Sequence, residues 1–104
     1  MRVSELLRAA RLQIVDPERW APRDVGGLII DISNPGALMG PTYSAEMAVL
    51  AVDKMRANEA LHCLAEAADH MGYLWIHELE WKTDHVTVLR MYDEAISMAE
   101  RGNK

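Results

Sequence analysis

Phenylalanine is absent from the 104-residue chain and cysteine occurs once. A single thiol excludes an internal disulfide framework, and Cys63, set among Leu61, Leu64 and Ala65, reads as a small buried hydrophobe in a reducing compartment. Long apolar runs are missing too. The longest, Met47 to Val52, is far short of the roughly 20 residues that cross a bilayer. Arg8 and Arg11 interrupt the opening segment where a secretory signal would be uniformly apolar. These absences point to a cytoplasmic protein with no membrane partner. Basic charge is also scarce: the formal net charge is −5, which argues against a protein whose main task is to neutralise phosphate backbones.

Half of the residues are hydrophobic, and three Trp, three Tyr and seven Met supply core volume in place of Phe. The chain therefore reads as one domain over residues 1–104. Its charge is uneven. Residues 1–43 carry five acids against five arginines (Arg2, Arg8, Arg11, Arg19, Arg23), whereas residues 44–104 carry eleven acids against six bases, so the acidic surplus belongs to the C-terminal part.

Periodicity predicts a helix from about Ser4 to Val15, with Val3, Leu6, Leu7, Ala10 and Ile14 on one face and Ser4 as N-cap. Asp16-Pro17 ends it and starts a short turn through Trp20. Residues 21–43 form an irregular Gly/Pro-rich segment in which only Leu28 to Ile32 reads as a strand. Ser44 caps a second helix to about Arg56, with Met47, Ala48, Ala51, Val52 and Met55 as its stripe. A third helix, capped by Asn58, carries Leu61, Leu64, Ala65, Ala68 and Met71 and stops at Gly72. Residues 73–82 read equally as a short strand or a helical turn. Thr83 or Asp84 caps the last helix, whose stripe is Val88, Met91, Tyr92, Ala95, Met98 and Ala99, with Gly102 as its stop. The expected fold is mainly α: a bundle of about four helices with at most a minor two-stranded β element between residues 28–32 and 73–77.

Several constellations bear on chemistry. The segment Asn34 to Thr42 before the second helix superficially resembles a phosphate loop. Its glycines are one residue too close, however, and Pro41 stands where the lysine belongs. His62, Glu66 and His70 would share one ridge of the third helix and could offer a metal two imidazoles and a carboxylate. A metal-binding protein or metal-dependent enzyme is therefore the alternative reading, although the chain has no His-Glu-x-x-His arrangement. Glu78 and Glu80, with His77 or Asp84-His85, are the only acid/base candidates. They read more simply as the polar side of an amphipathic segment and a helix cap. No catalytic residue is assigned, no cofactor is expected, and the chain reads as non-enzymatic.

Tyr73, Trp75 and Trp81 around His77 place three large rings in nine residues. Trp and Tyr are the residues most enriched at interface hot spots. These rings either roof the core where helices meet or stay exposed and dock a partner, a host protein or a second copy in a homodimer. A third reading, a nucleic-acid-associated regulator led by the first helix, rests on Arg8 and Arg11, with Glu5 beside them.

The order of motifs is an opening Leu-Leu-x-Ala-Ala helix, Trp20, a glycine-rich stretch, an alanine-rich helix, a second helix, Trp81-Lys82-Thr83, and a closing helix with Val88, Tyr92, Asp93, Ala95, Ile96 and Ala99. This order resembles a family of small uncharacterised domains from actinobacteria and the phages that infect them. Members commonly show Trp-Asn-Asp where this chain has Trp81-Lys82-Thr83, and a Cys-containing Gly-Ala motif where it has Glu46 to Leu50. The resemblance implies a small helical accessory protein that a phage can encode, with no catalytic residues to carry over.

Overall fold

Apolar residues at helical spacing organise the computed structural model, which describes residues 1–21 and 43–102, into five α-helices. They are α1 (Val3–Ile14), α2 (Ala45–Val52), α3 (Ala57–His70), α4 (Ile76–Lys82) and α5 (His85–Arg101), with a single 3-10 turn at Pro17–Arg19. The protein is mainly α. Among the described residues there is no strand; the one extended pairing is an isolated parallel bridge between Trp20 and Tyr43. The expected β element is therefore not formed at 73–77, where α4 begins instead, and its other half, 28–32, lies outside the described residues together with the phosphate-loop comparison at 34–42. No described helix is long and apolar enough to cross a membrane.

The longest helix, α5, organises the core. Val88, Met91, Tyr92, Ala95, Ile96 and Ala99 are buried, and α5 packs on α1 and on α3. Against it α1 turns Val3, Leu6, Leu7, Ala10 and Ile14, and α3 turns Ala57, Ala60, Cys63, Leu64, Ala67 and Ala68. The α3 face is displaced from the expected stripe: Leu61, Ala65 and Met71 sit half-buried at its edge. Small side chains explain the shift, because an alanine-rich face lets the two helix backbones approach more closely than a leucine-rich one. Cys63 is buried among the apolar residues of the core.

Helix ends follow local chemistry. Asp16 accepts a hydrogen bond from the Glu18 N–H ahead of Pro17. Ser44 caps α2 through the Met47 N–H, and Asp84 caps α5 through both the N–H and the hydroxyl of Thr87. The Thr87 hydroxyl, then its N–H, hold the Asp84 carboxyl below the usual aspartate range. Three expected details change. Ser4 is not a cap: α1 starts at Val3 and Ser4 is buried in its first turn. Instead of reaching Arg56, α2 stops at Val52, because the Asp53 carboxylate turns onto the Met55 and Arg56 N–H groups. That same carboxylate precedes the start of α3 at Ala57, so Asn58 lies inside the helix, exposed.

Gly72 closes α3 in a Schellman arrangement. Its N–H donates to the Asp69 carbonyl at 3.0 Å and the Tyr73 N–H to the Ala68 carbonyl at 2.9 Å, with Gly72 at φ 96°. A Cβ there would meet nothing within 4 Å, so the cost of adding one is purely conformational. Gly72→Ala is expected to lower stability by about 1 kcal/mol and Gly72→Asn by less, read from urea unfolding midpoints.

Candidate functional site

Two turns of helix position the candidate site. Within α4 the residues at i, i+3 and i+4, namely Ile76, Leu79 and Glu80, point into the protein and are buried. Of the remaining positions His77, Trp81 and Lys82 are exposed and Glu78 is half-buried, and Trp75 precedes the helix as its extended N-cap. Trp75 is 61% and Trp81 56% exposed, and Leu74 before them is 74% exposed. Tyr73 alone of the aromatic cluster packs half-buried against the core. The structure thus brings Trp75, His77 and Trp81 together on one short exposed element and withdraws Tyr73 from it. His77 lies nearly parallel to the Trp75 ring, with centroids 6.2 Å apart at 9°. On the neighbouring helix α2, Met47 and Leu50 are also exposed. Of the expected α2 stripe, Ala48 is buried and Val52 half-buried, but Met47, Ala51 and Met55 are exposed; Ala45 and Val49 complete the buried face instead. The eight residues of α2 are apolar on every side save Glu46, so their periodicity cannot choose a face.

That choice is made at Glu80, which is 1% exposed. Its Oε2 accepts the Trp20 indole N–H and the Ala45 N–H, each at 2.9 Å. From the other side the Tyr92 hydroxyl donates to the Ala45 carbonyl at 2.5 Å. Both backbone groups of Ala45 are thereby fixed, and a carboxylate sits at the positive end of α2. Burial first, then the carboxylates of Glu80 and Glu46, raise the Tyr92 pKa well above the ordinary tyrosine value. Sequence reading placed Glu80 on a polar side. The signal that finds it is the helical phase itself, since Glu80 follows Ile76 by four residues and Leu79 by one.

The other candidates are dispersed. His62 Nε2 is 2.9 Å from Glu66 Oε1 along α3, but His70 turns to Glu94 of α5, at 3.7 Å. Among the described residues no three His, Cys, Asp or Glu side chains could hold a metal ion together. Glu78 pairs with Lys82 at 3.4 Å, Asp84 is the α5 cap, and His85 Nε2 meets the Ile14 carbonyl at 2.6 Å beside the Trp20 ring. Arg8 pairs with Glu100, and Arg11 spreads over Asp93 with Nε 2.9 Å from Oδ1. The arginines of α1 thus face acids of α5. An open groove of about 340 Å³ beside Met71, Arg90, Asp93 and Glu94 has both its carboxylates in ion pairs.

Truncation at Glu80 strands two N–H donors, so Glu80→Ala is expected to cost about 3 kcal/mol in urea unfolding. Tyr92→Phe is expected to cost about 1 kcal/mol at neutral pH. With its pKa raised on folding, Tyr92 keeps its proton in the folded state after an unfolded tyrosine, near 10, has lost it. Stability is therefore complete below that pH and declines as pH rises above it. The decline is expected to be shallower in Tyr92→Phe.

No family model, curated protein or solved structure matches the chain, which leaves the exposed edge of α4 and its buried support as the grounds for a functional reading.

Proposed function

We propose that this is a non-enzymatic accessory protein of the cytoplasm that works by docking another protein onto the α4 edge, with Trp75 and Trp81 as the anchoring rings and His77 between them. The observation that carries this is exposure: both tryptophans stand more than half in solvent, Trp75 at the N-cap of α4 and Trp81 within it, while the other face of that helix is firmly packed. An indole left outside the core contributes little to folding and much to an interface, where it removes a large rigid apolar surface from water. The exposed Leu74, Met47 and Leu50 add apolar surface from the same and the adjacent element. The resemblance to actinobacterial and phage domains extends the proposal to a phage-encoded protein whose partner is a host protein. The pairing of Arg8 and Arg11 with α5 acids weighs against the nucleic-acid reading. The separation of His62 and Glu66 from His70 weighs against the metal reading.

Trp75→Ala and Trp81→Ala decide between core and contact. Both variants are expected to keep the helical circular dichroism of the parent and to unfold within about 1 kcal/mol of it, as surface substitutions do. Each is expected to weaken binding to a purified, cross-link-identified partner by about 30-fold, the measure of a hot-spot ring. Loss of folding in both would return the rings to the core, and unchanged binding would place docking elsewhere.

A further inference from the structure

The chemistry of the partner is legible beside the rings, and it rests on the docking reading above. Glu46, in the first turn of α2, has a side chain 23% exposed, while its Oε1 is buried with no hydrogen-bond partner among the described residues. Among the described residues the nearest base is His77, whose Nδ1 is 4.0 Å away, beyond a hydrogen bond. The same His77 ring is stacked on exposed Trp75. An under-satisfied carboxylate thus borders a flat, solvent-facing aromatic pair. The surrounding charge on these two helices is net negative, although Glu80 is buried. Across α2 and α4 there are three carboxylates, Glu46, Glu78 and Glu80, against one cation, Lys82, which is tied to Glu78.

We infer that this edge recognises an arginine on a basic segment of the partner protein, its guanidinium lying against the Trp75–His77 face and directed at the Glu46 carboxylate, with apolar neighbours of that arginine on Trp81 and Leu74. Arginine fits better than lysine, because its planar fork stacks on an indole and bonds a carboxylate in the same pose. The acidic surplus of residues 44–104 attracts a basic segment from a distance. A second copy of this chain is a poorer occupant. It carries the same surplus, and its Arg8, Arg11, Lys82 and Arg101 face acids of their own molecule.

The test uses the full chain and three fluorescein-labelled amphipathic peptides of one pattern: leucine with arginine, leucine with citrulline (the neutral isostere), and leucine with glutamate. Fluorescence anisotropy is expected to show the arginine peptide binding about tenfold more tightly than the citrulline peptide, the range of one charge-assisted contact, with the glutamate peptide weakest. That preference is expected to fall to about twofold in Glu46→Gln, whose fold is checked by circular dichroism, and to shrink as salt rises from about 50 mM to about 500 mM. Equal affinity for the arginine and citrulline peptides, or a preference that survives Glu46→Gln, overturns the arginine assignment. If both peptides then still lose affinity in Trp75→Ala and Trp81→Ala, docking stands without it. An arginine preference insensitive to both tryptophan variants overturns the location and the docking reading together. Absence of binding by all three peptides, or a dimer in sedimentation equilibrium that dissociates in Glu46→Gln, overturns the choice of a basic segment.

Discussion

A carboxylate inside a protein must be met by donors, and at Glu80 those donors come from parts of the chain far apart in sequence: the Trp20 indole and the Ala45 N–H. Much of the arrangement around α4 follows from this contact. It seats the start of α2, which Tyr92 holds from the opposite side, and so selects the buried face of a helix that is apolar nearly all round. It also fixes the rotation of α4 about its own axis. With Glu80 inward, the residue one step further along the helix, Trp81, is carried about 100° away and into solvent. Exposure of the Trp81 ring is thus a consequence of the buried charge.

Charge at the surface is divided in a way that serves the same end. Where α1 lies against α5, the pairs Arg8–Glu100 and Arg11–Asp93 and the contact of His85 with the Ile14 carbonyl join the two helices. Exposed pairs of this kind add little stability. Their larger effect is to consume positive charge, so that the α1–α5 side is near neutral while Glu46 and the α4 edge keep a negative character. An acidic patch beside exposed indoles suits a basic apolar segment and repels a phosphate backbone.

The parts of the fold that were legible in the sequence are those set by local chemistry. The α5 cap, narrowed to Thr83 or Asp84 and found at Asp84, the Gly72 stop and the Asp16-Pro17 turn each follow from a side chain's own preferences, and five of the six expected core residues of α5 are buried, with Ile96 joining in place of half-buried Met98. Legibility failed where a particular hydrogen bond or packing partner, rather than the hydrophobic period, decides. Asp53 ended α2 by folding onto N–H groups two and three residues ahead, which no hydrophobic period registers. The α3 face moved toward its alanines because α5 lies there. The aromatic cluster was visible as composition, but whether its rings pointed in or out depended on Glu80, a residue that polarity alone assigns to the surface.

Two tryptophans left more than half in solvent each hold back on the order of 100 Å² of apolar surface from the core. At about 25 cal/mol per Å² that is some 2–3 kcal/mol per ring which folding forgoes and association can recover. Recovery is efficient only if the rings are already in place when a partner arrives, because ordering a mobile side chain costs part of the gain. A two-turn helix is too short to hold itself in water. Here α4 is held by Ile76 and Leu79 in the core, by Thr83 donating to the Leu79 carbonyl at its end, and by Glu80 bonded to two fixed N–H groups. A hydrophobic residue at position 80 could supply burial, but it could not tie α4 to both Trp20 and the start of α2. Replacing a buried charged contact by a well-packed apolar group is often neutral for stability, so the particular value of Glu80 lies in the fixed direction it gives to the helix that carries His77 and Trp81.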